Sequence, residues 1–225
     1  MKVPKYLKGT ILALQLVQLA LGAMAADRAD FEERCARLSA DAKISVLFED
    51  KPITKDNNRS LAELKRLSGS KSSQYHSILG LTHAVPAAKL DLTPNLLTDA
   101  NGRICIVPSL VLTLGFSEFV VYLAKELQDG CRRKIVEAHE NEHVGVWRNH
   151  FRISARLLEP VLRKQLANPT YFGNPNEAMN ETRRRVEVVI DTWLKNIYEG
   201  VVSANQQIDS PASYQFEANR MRSCQ

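Results

Sequence analysis

From about Arg132 to Leu166 apolar residues recur at helical spacing, and Ile135, His139, His143, Val146, His150, Ile153, Leu157 and Val161 share one stripe. A strand cannot carry that period, so the stretch predicts a long helix, bent or interrupted at Pro160. A second helix is expected from about Glu177 to Gln207. Between them, 168–176 holds two prolines and a glycine and reads as a loop.

Upstream the period changes. Phe31, Cys35 and Leu38 give 26–42 helical character, and Ile44–Phe48 reads as a strand. Ser60 and Glu63 form a capping box that opens a short helix. Gly69–Ser73 is a polar loop, Tyr75–Val85 and Ala88–Leu92 are extended, and Asp99–Gly102 carries turn chemistry. Ile104–Phe116 is β-rich with a break or edge position at Pro108, and Glu118–Leu123 is a second extended run. Strands followed by helices predict a single α+β domain over 26–225, with a mostly antiparallel sheet.

Composition matters mainly for location. The chain has 225 residues, 44% of them hydrophobic, which excludes a disordered or fibrous protein. Its formal charge of +5 suggests an anionic partner until the positions are read. Lys2, Lys5 and Lys8 precede the apolar run Ile11–Leu21 and the triplet Ala23-Met24-Ala25, the pattern of a secretory signal peptide over 1–25. The run is shorter than the roughly 18 residues of a membrane span; a retained anchor is the alternative. Without it, 27 basic residues face 25 acidic ones. Lys65-Arg66 to Lys71 and Arg183-Arg184-Arg185 are not interleaved with aromatics, so they read as solvated surface. Neither nucleic acid nor stable membrane insertion is expected after signal removal. The destination is the periplasm or the extracellular space, and oligomeric state is left open.

All four cysteines, Cys35, Cys105, Cys131 and Cys224, lie beyond the leader, and an even count in an exported chain predicts two disulfides. Three pairings are open. Cys105 with Cys131 and Cys35 with Cys224 is preferred, on the expectation that a strand pair brings the first two together. The spacings include no CxxC.

The chemistry concentrates at His139-Glu140-Asn141-Glu142-His143, an HExxH sequence. Four helical residues turn the chain by about 400°, so the two imidazoles share a face and can address one metal ion. Glu140 sits about 100° round from His139, within reach of a metal-bound water without being a ligand. Placed on an otherwise apolar stripe, the histidines need buried partners, and a metal satisfies both at once; a hydrogen-bonded core pair is the alternative.

With this motif, with Gly80-Leu81-Thr82 and Cys105 before it, and with Asp209 after the second helix, the chain resembles a bacterial family of unknown function predicted to be secreted zinc-dependent proteases. The resemblance runs roughly from Leu79 to Asp209 and implies a minimal zincin-like fold, hydrolytic activity and an unidentified substrate. It does not extend to the longer HExxHxxGxxH motif, because Asn149 stands where a third histidine would.

A catalytic zinc ordinarily has three protein ligands and one open position. His150 is about 10.5 Å along the helix from His143, too far to share its ion, and is expected in the core or behind the ligands. If the two long helices form an antiparallel hairpin turning near Tyr171, the third ligand comes from residue 199 or later. Glu199 fits that height but points away; Glu177 and Glu181 are at the wrong end. Asp209, just past the helix, is the candidate, against a reading of Asp-Ser-Pro as a turn cap. His76 and His83 are not expected to be ligands. Tyr198 and Tyr214 are candidate donors to an oxyanion.

The expected function is that of a secreted or periplasmic metallohydrolase, with Zn²⁺ on His139, His143 and Asp209 and Glu140 as general base. Its substrate would be a peptide or protein, cell-wall peptide included. The alternatives are an amidase acting on cell-wall amide bonds and a non-catalytic envelope module with a structural metal or core histidines.

Overall fold

The computed structural model of the chain describes residues 27–69, 78–166 and 168–224. The expected signal peptide, His76 and most of the expected Gly69–Ser73 loop lie outside these. In chain order the elements are α1 (described over 27–40), β1 (Ile44–Phe48), β2 (Thr54–Asp56), α2 (Leu61–Leu67), β3 (Gly80–Thr98), β4 (Ile104–Leu123), α3 (Gly130–Leu166), β5 (Thr170–Phe172), α4 (Pro175–Ile208) and α5 (Pro211–Arg222). No described helix is long and apolar enough to cross a membrane.

The protein is α+β, but its sheet is mixed instead of mostly antiparallel. Every described strand pairs with β4. Parallel to it run β1, with Ile44 opposite Leu110, and β2, with Thr54 opposite Val120, while β5 is antiparallel. Parallel neighbours need a long crossover, and hydrophobic period alone says nothing about which distant strand supplies the partner. The two expected runs, 104–116 and 118–123, are one continuous strand. Pro108 falls between Ile106, paired with β5, and Leu110, paired with β1.

The chain divides into two compact units. One takes the chain up to Lys43 with Thr93–Ser109 and Lys164–Arg184. Its core gathers Phe31 and Cys35 of α1 with Cys105 and Val107 of β4, and Leu38 packs against it, as the helical spacing of α1 predicts. Within this unit Cys35 is bonded to Cys105. The expected turn is present: the N–H of Gly102 donates to the carbonyl of Asp99 at 3.1 Å, and Gly102 takes a positive φ of 78° that favours glycine.

The other unit takes Ile44–Leu92, Leu110–Arg163 and the chain from Arg185 onward. Here α2 begins with the predicted capping box and packs its buried Leu64 on Val120 and Tyr122. Phe116 of β4 lies 4.8 Å from Phe151 and 6.1 Å from Trp147 between ring centroids, anchoring α3. That contact rotates α3 from its expected stripe. Val136, His139, His143, Trp147, Phe151, Leu158 and Leu162 are buried, while Ile153 and Leu157 are 45% and 55% exposed. Trp147 and Phe151 bury more apolar area than Val146 and His150 one position before them, so they take the inward face. Pro160 lies inside an unbroken helix. Against α3 runs α4, in the opposite sense, with His143 meeting Asn205 and Trp147 facing Tyr198.

In this second unit Cys131 is bonded to Cys224, so the preferred cysteine pairing was wrong. That pairing required a hairpin between Cys105 and Cys131, and the continuous β4 removes it. Two disulfides fit the oxidising compartment of an exported protein.

Candidate metal centre

Helix α3 presents His139 and His143 one turn apart, with Nε2 atoms 3.1 Å from each other and both side chains buried. Asp209, immediately after α4, brings Oδ1 to 3.3 Å from Nε2 of His139 and 3.2 Å from Nε2 of His143. Side chains from two distant parts of the sequence thus converge on one point, and the three could hold a metal ion. The antiparallel course of α3 and α4 is what delivers Asp209 to this height.

The other ring nitrogens decide what those three atoms are. His139 Nδ1 lies 2.7 Å from Oε1 of Glu217, and an ionised carboxylate only accepts, so Nδ1 carries the proton. His143 Nδ1 likewise donates to Oδ1 of Asn205 at 3.0 Å. In each neutral imidazole Nε2 is therefore a lone pair. Two such lone pairs and a carboxylate oxygen face one another at 3.1 to 3.3 Å, an arrangement that calls for a cation between them: a metal ion or, without one, the proton of an imidazolium donating to Asp209.

Titration expresses the same demand. Burial pulls the His139 imidazole down, but Asp209, Glu140 and Glu217 outweigh it and raise its pKa from 6.5 to about 9. His143 is also raised against burial, by Asp209 and Asn205. Burial raises Asp209, yet its hydrogen bonds to the two imidazoles and Tyr214 hold it well below the usual carboxylate range. Tyr214 stacks on His139 with centroids 5.7 Å apart and donates its hydroxyl to Asp209 Oδ1 at 2.7 Å; burial and that bond push its own pKa up.

Glu140 does not join the triangle. Its side chain lies against β3, where the Thr82 hydroxyl is 2.8 Å from Oε2 and 3.0 Å from the Glu140 carbonyl, and can donate to either. A Cβ at position 80 would stand 2.5 Å from Oε1, so the backbone of Gly80 is what leaves room for the carboxylate. Burial raises the Glu140 pKa over the opposing hydrogen bond from Thr82.

No protein-family model, curated protein or solved structure matches the chain.

The structure brings together His139, His143 and Asp209, with Glu140 beside them. Glu199 is exposed and 4.0 Å from Lys195, as its helical phase predicts. His150 is half-buried against Gly200, where a Cβ would approach its ring to 3.1 Å. His83 lies 4.0 Å from Glu118 on exposed strand surface. Of the two candidate tyrosines Tyr214 is at the centre, while Tyr198 is 55% exposed beside Trp147. Asn205 and Glu217 were not singled out by sequence, and Thr82 entered only within Gly80-Leu81-Thr82, with no role assigned to its hydroxyl. The signal for α5 was present: Ser210 caps it and Pro211 occupies its first turn, a common helix opening. Asp-Ser-Pro is thus both a helix start and the carrier of the third candidate ligand.

Proposed function

We propose that the protein is an exported zinc-dependent hydrolase of peptide bonds, with His139, His143 and Asp209 as metal ligands and Glu140 as general base. One observation carries this reading: three lone-pair donors converge while each imidazole is fixed in the ligating tautomer by a partner on its far side. A tetrahedral zinc with bonds of about 2.0–2.1 Å has ligand-to-ligand edges of roughly 3.3 Å, close to the spacing of the three atoms. The donor set also leaves one tetrahedral position for water or substrate. The resemblance to secreted zinc-dependent proteases points the same way.

A bound zinc ion would supply Lewis acidity toward a water and a substrate carbonyl. Glu140 takes the water proton and passes it to the leaving amine, and its burial, which favours the protonated form, suits a group that must carry a proton between two partners. Thr82 and Gly80 hold that carboxylate in place. Tyr214 gives its one proton to Asp209, and it would serve a developing oxyanion only by releasing that carboxylate.

The test is metal content together with hydrolysis of a broad peptide library and of purified peptidoglycan. Glu140→Gln should retain zinc and lose roughly 10²–10⁴-fold in rate. Natural protein that binds zinc but cleaves neither peptides nor peptidoglycan would leave the metal structural, as in an envelope scaffold module. Cleavage of peptidoglycan amides alone would assign the amidase reading.

A further inference from the structure

Helix α5 touches the metal centre along its length and the start of α3 at its end. It follows Asp209 directly, Tyr214 donates to Asp209, and Glu217 accepts from His139. Just past it, Cys224 is bonded to Cys131, the second residue of α3. Between these anchors α5 buries no residue at all, and its Phe216 is 62% exposed. Twelve residues are too few for a stable isolated helix in water. No apolar core holds α5; its caps, the polar contacts of the metal centre and one covalent bond do.

We propose that the Cys131–Cys224 disulfide is a working part of the metal centre: it keeps Glu217 and Tyr214 on the ligands, and metal binding in turn protects it from reduction. This rests on the metal-binding half of the function proposed above, and not on hydrolysis. Reduction by a dithiol breaks the S–S bond and leaves two thiols, the dithiol becoming a disulfide and supplying both electrons and both protons. The freed α5 is then tethered only through Asp209. His139 loses the acceptor that fixes its tautomer, a kind of loss that typically weakens metal affinity by about 10–100-fold. Linkage makes the effect reciprocal, so metal must favour the oxidised form by the same factor. The centre therefore assembles at full affinity only in an oxidising compartment, and cytosolic thiols keep it weak.

Two measurements on the full chain test this. Zinc affinity is read by chelator competition for the natural protein, for Cys131→Ser/Cys224→Ser and for Glu217→Gln. Both variants should bind at least tenfold more weakly, and adding Glu217→Gln to the serine pair should cost little more. The second needs no substitution: the chain is equilibrated in a glutathione redox buffer with and without zinc, acid-quenched, alkylated and read by mass spectrometry. Saturating zinc should shift the Cys131–Cys224 equilibrium at least tenfold toward the disulfide and leave the Cys35–Cys105 pair unchanged. A folded serine variant with zinc affinity within twofold of natural protein, or zinc that protects neither pair or both equally, overturns the coupling while the metal site stands. Natural protein that binds no zinc overturns the metal site as well.

Discussion

A Cβ built on Gly80 would lie 2.5 Å from Oε1 of Glu140 and 2.7 Å from Cγ1 of Val136, so the contact of β3 with α3 depends on the missing side chain. Gly80→Ala must push the Glu140 carboxylate or Val136 aside. The expected cost is about 1–3 kcal/mol of stability from overpacking. Displacing a general base by about 1 Å adds a loss of roughly a hundredfold in turnover. Urea unfolding and zinc content, alongside kinetics, check this: the ion should stay and the rate should fall. Unchanged turnover would remove Glu140, as held by β3, from the proposed mechanism.

Removing Asp209 tests the third ligand. Asp209→Ala takes away the oxygen that lies 3.2 and 3.3 Å from the two imidazole nitrogens, and zinc affinity should drop by more than about 100-fold, beyond the range for outer partners. Tyr214→Phe removes the hydroxyl that donates to Asp209 and should change affinity far less. Equal effects from the two substitutions would move the ligand role away from Asp209.

The raised pKa of His139 sets a pH dependence with a definite sign. Because about 9 in the folded chain exceeds the ordinary 6.5, protonation stabilises the metal-free fold fully below pH 6.5, and that contribution is lost as pH rises toward 9. Asp209 acts at the other extreme, its depressed pKa contributing stability that disappears as pH falls below the ordinary carboxylate range. Metal-free Tm should fall between pH 6.5 and 9. Zinc-loaded protein should not show this fall, since binding already requires a neutral imidazole, and zinc affinity should rise over the same interval. A flat metal-free Tm would contradict the coupling of His139 to Asp209 and Glu217.

Away from the site, Ser60→Ala should cost about 0.5–2 kcal/mol, because the hydroxyl that accepts from the Glu63 N–H at the start of α2 is lost. Chemical denaturation measures it. Zinc affinity should not move.

How much was legible follows from the range of each interaction. The capping box and the Asp99–Gly102 turn depend on neighbours within a few residues, and each appears where its local signal stands; β1 also lies where its own run is extended, although its partner is 66 residues away. His139 and His143 share a face because a helix turns once in 3.6 residues, whatever surrounds it. Asp209 could be placed only by supposing a hairpin of two helices, and it is there because α4 does run back along α3. Helix α5 went unrecognised because it has no apolar stripe, and with it went Glu217. The inward face of α3 is as expected at Ile135, His139 and His143 but misplaced by one residue beyond them, since two apolar stripes compete there and Phe116 of β4 selects between them.

Sequence alone determined the local periods, the helix that carries HExxH and an even set of four cysteines able to close two disulfides. Tertiary structure decided the parallel partners of β4, the pairing of those cysteines and the carboxylates that meet the imidazoles. The reason is physical: backbone geometry repeats over a few residues and is written in spacing, whereas lone pairs from distant segments converge only after the core has chosen which faces to bury.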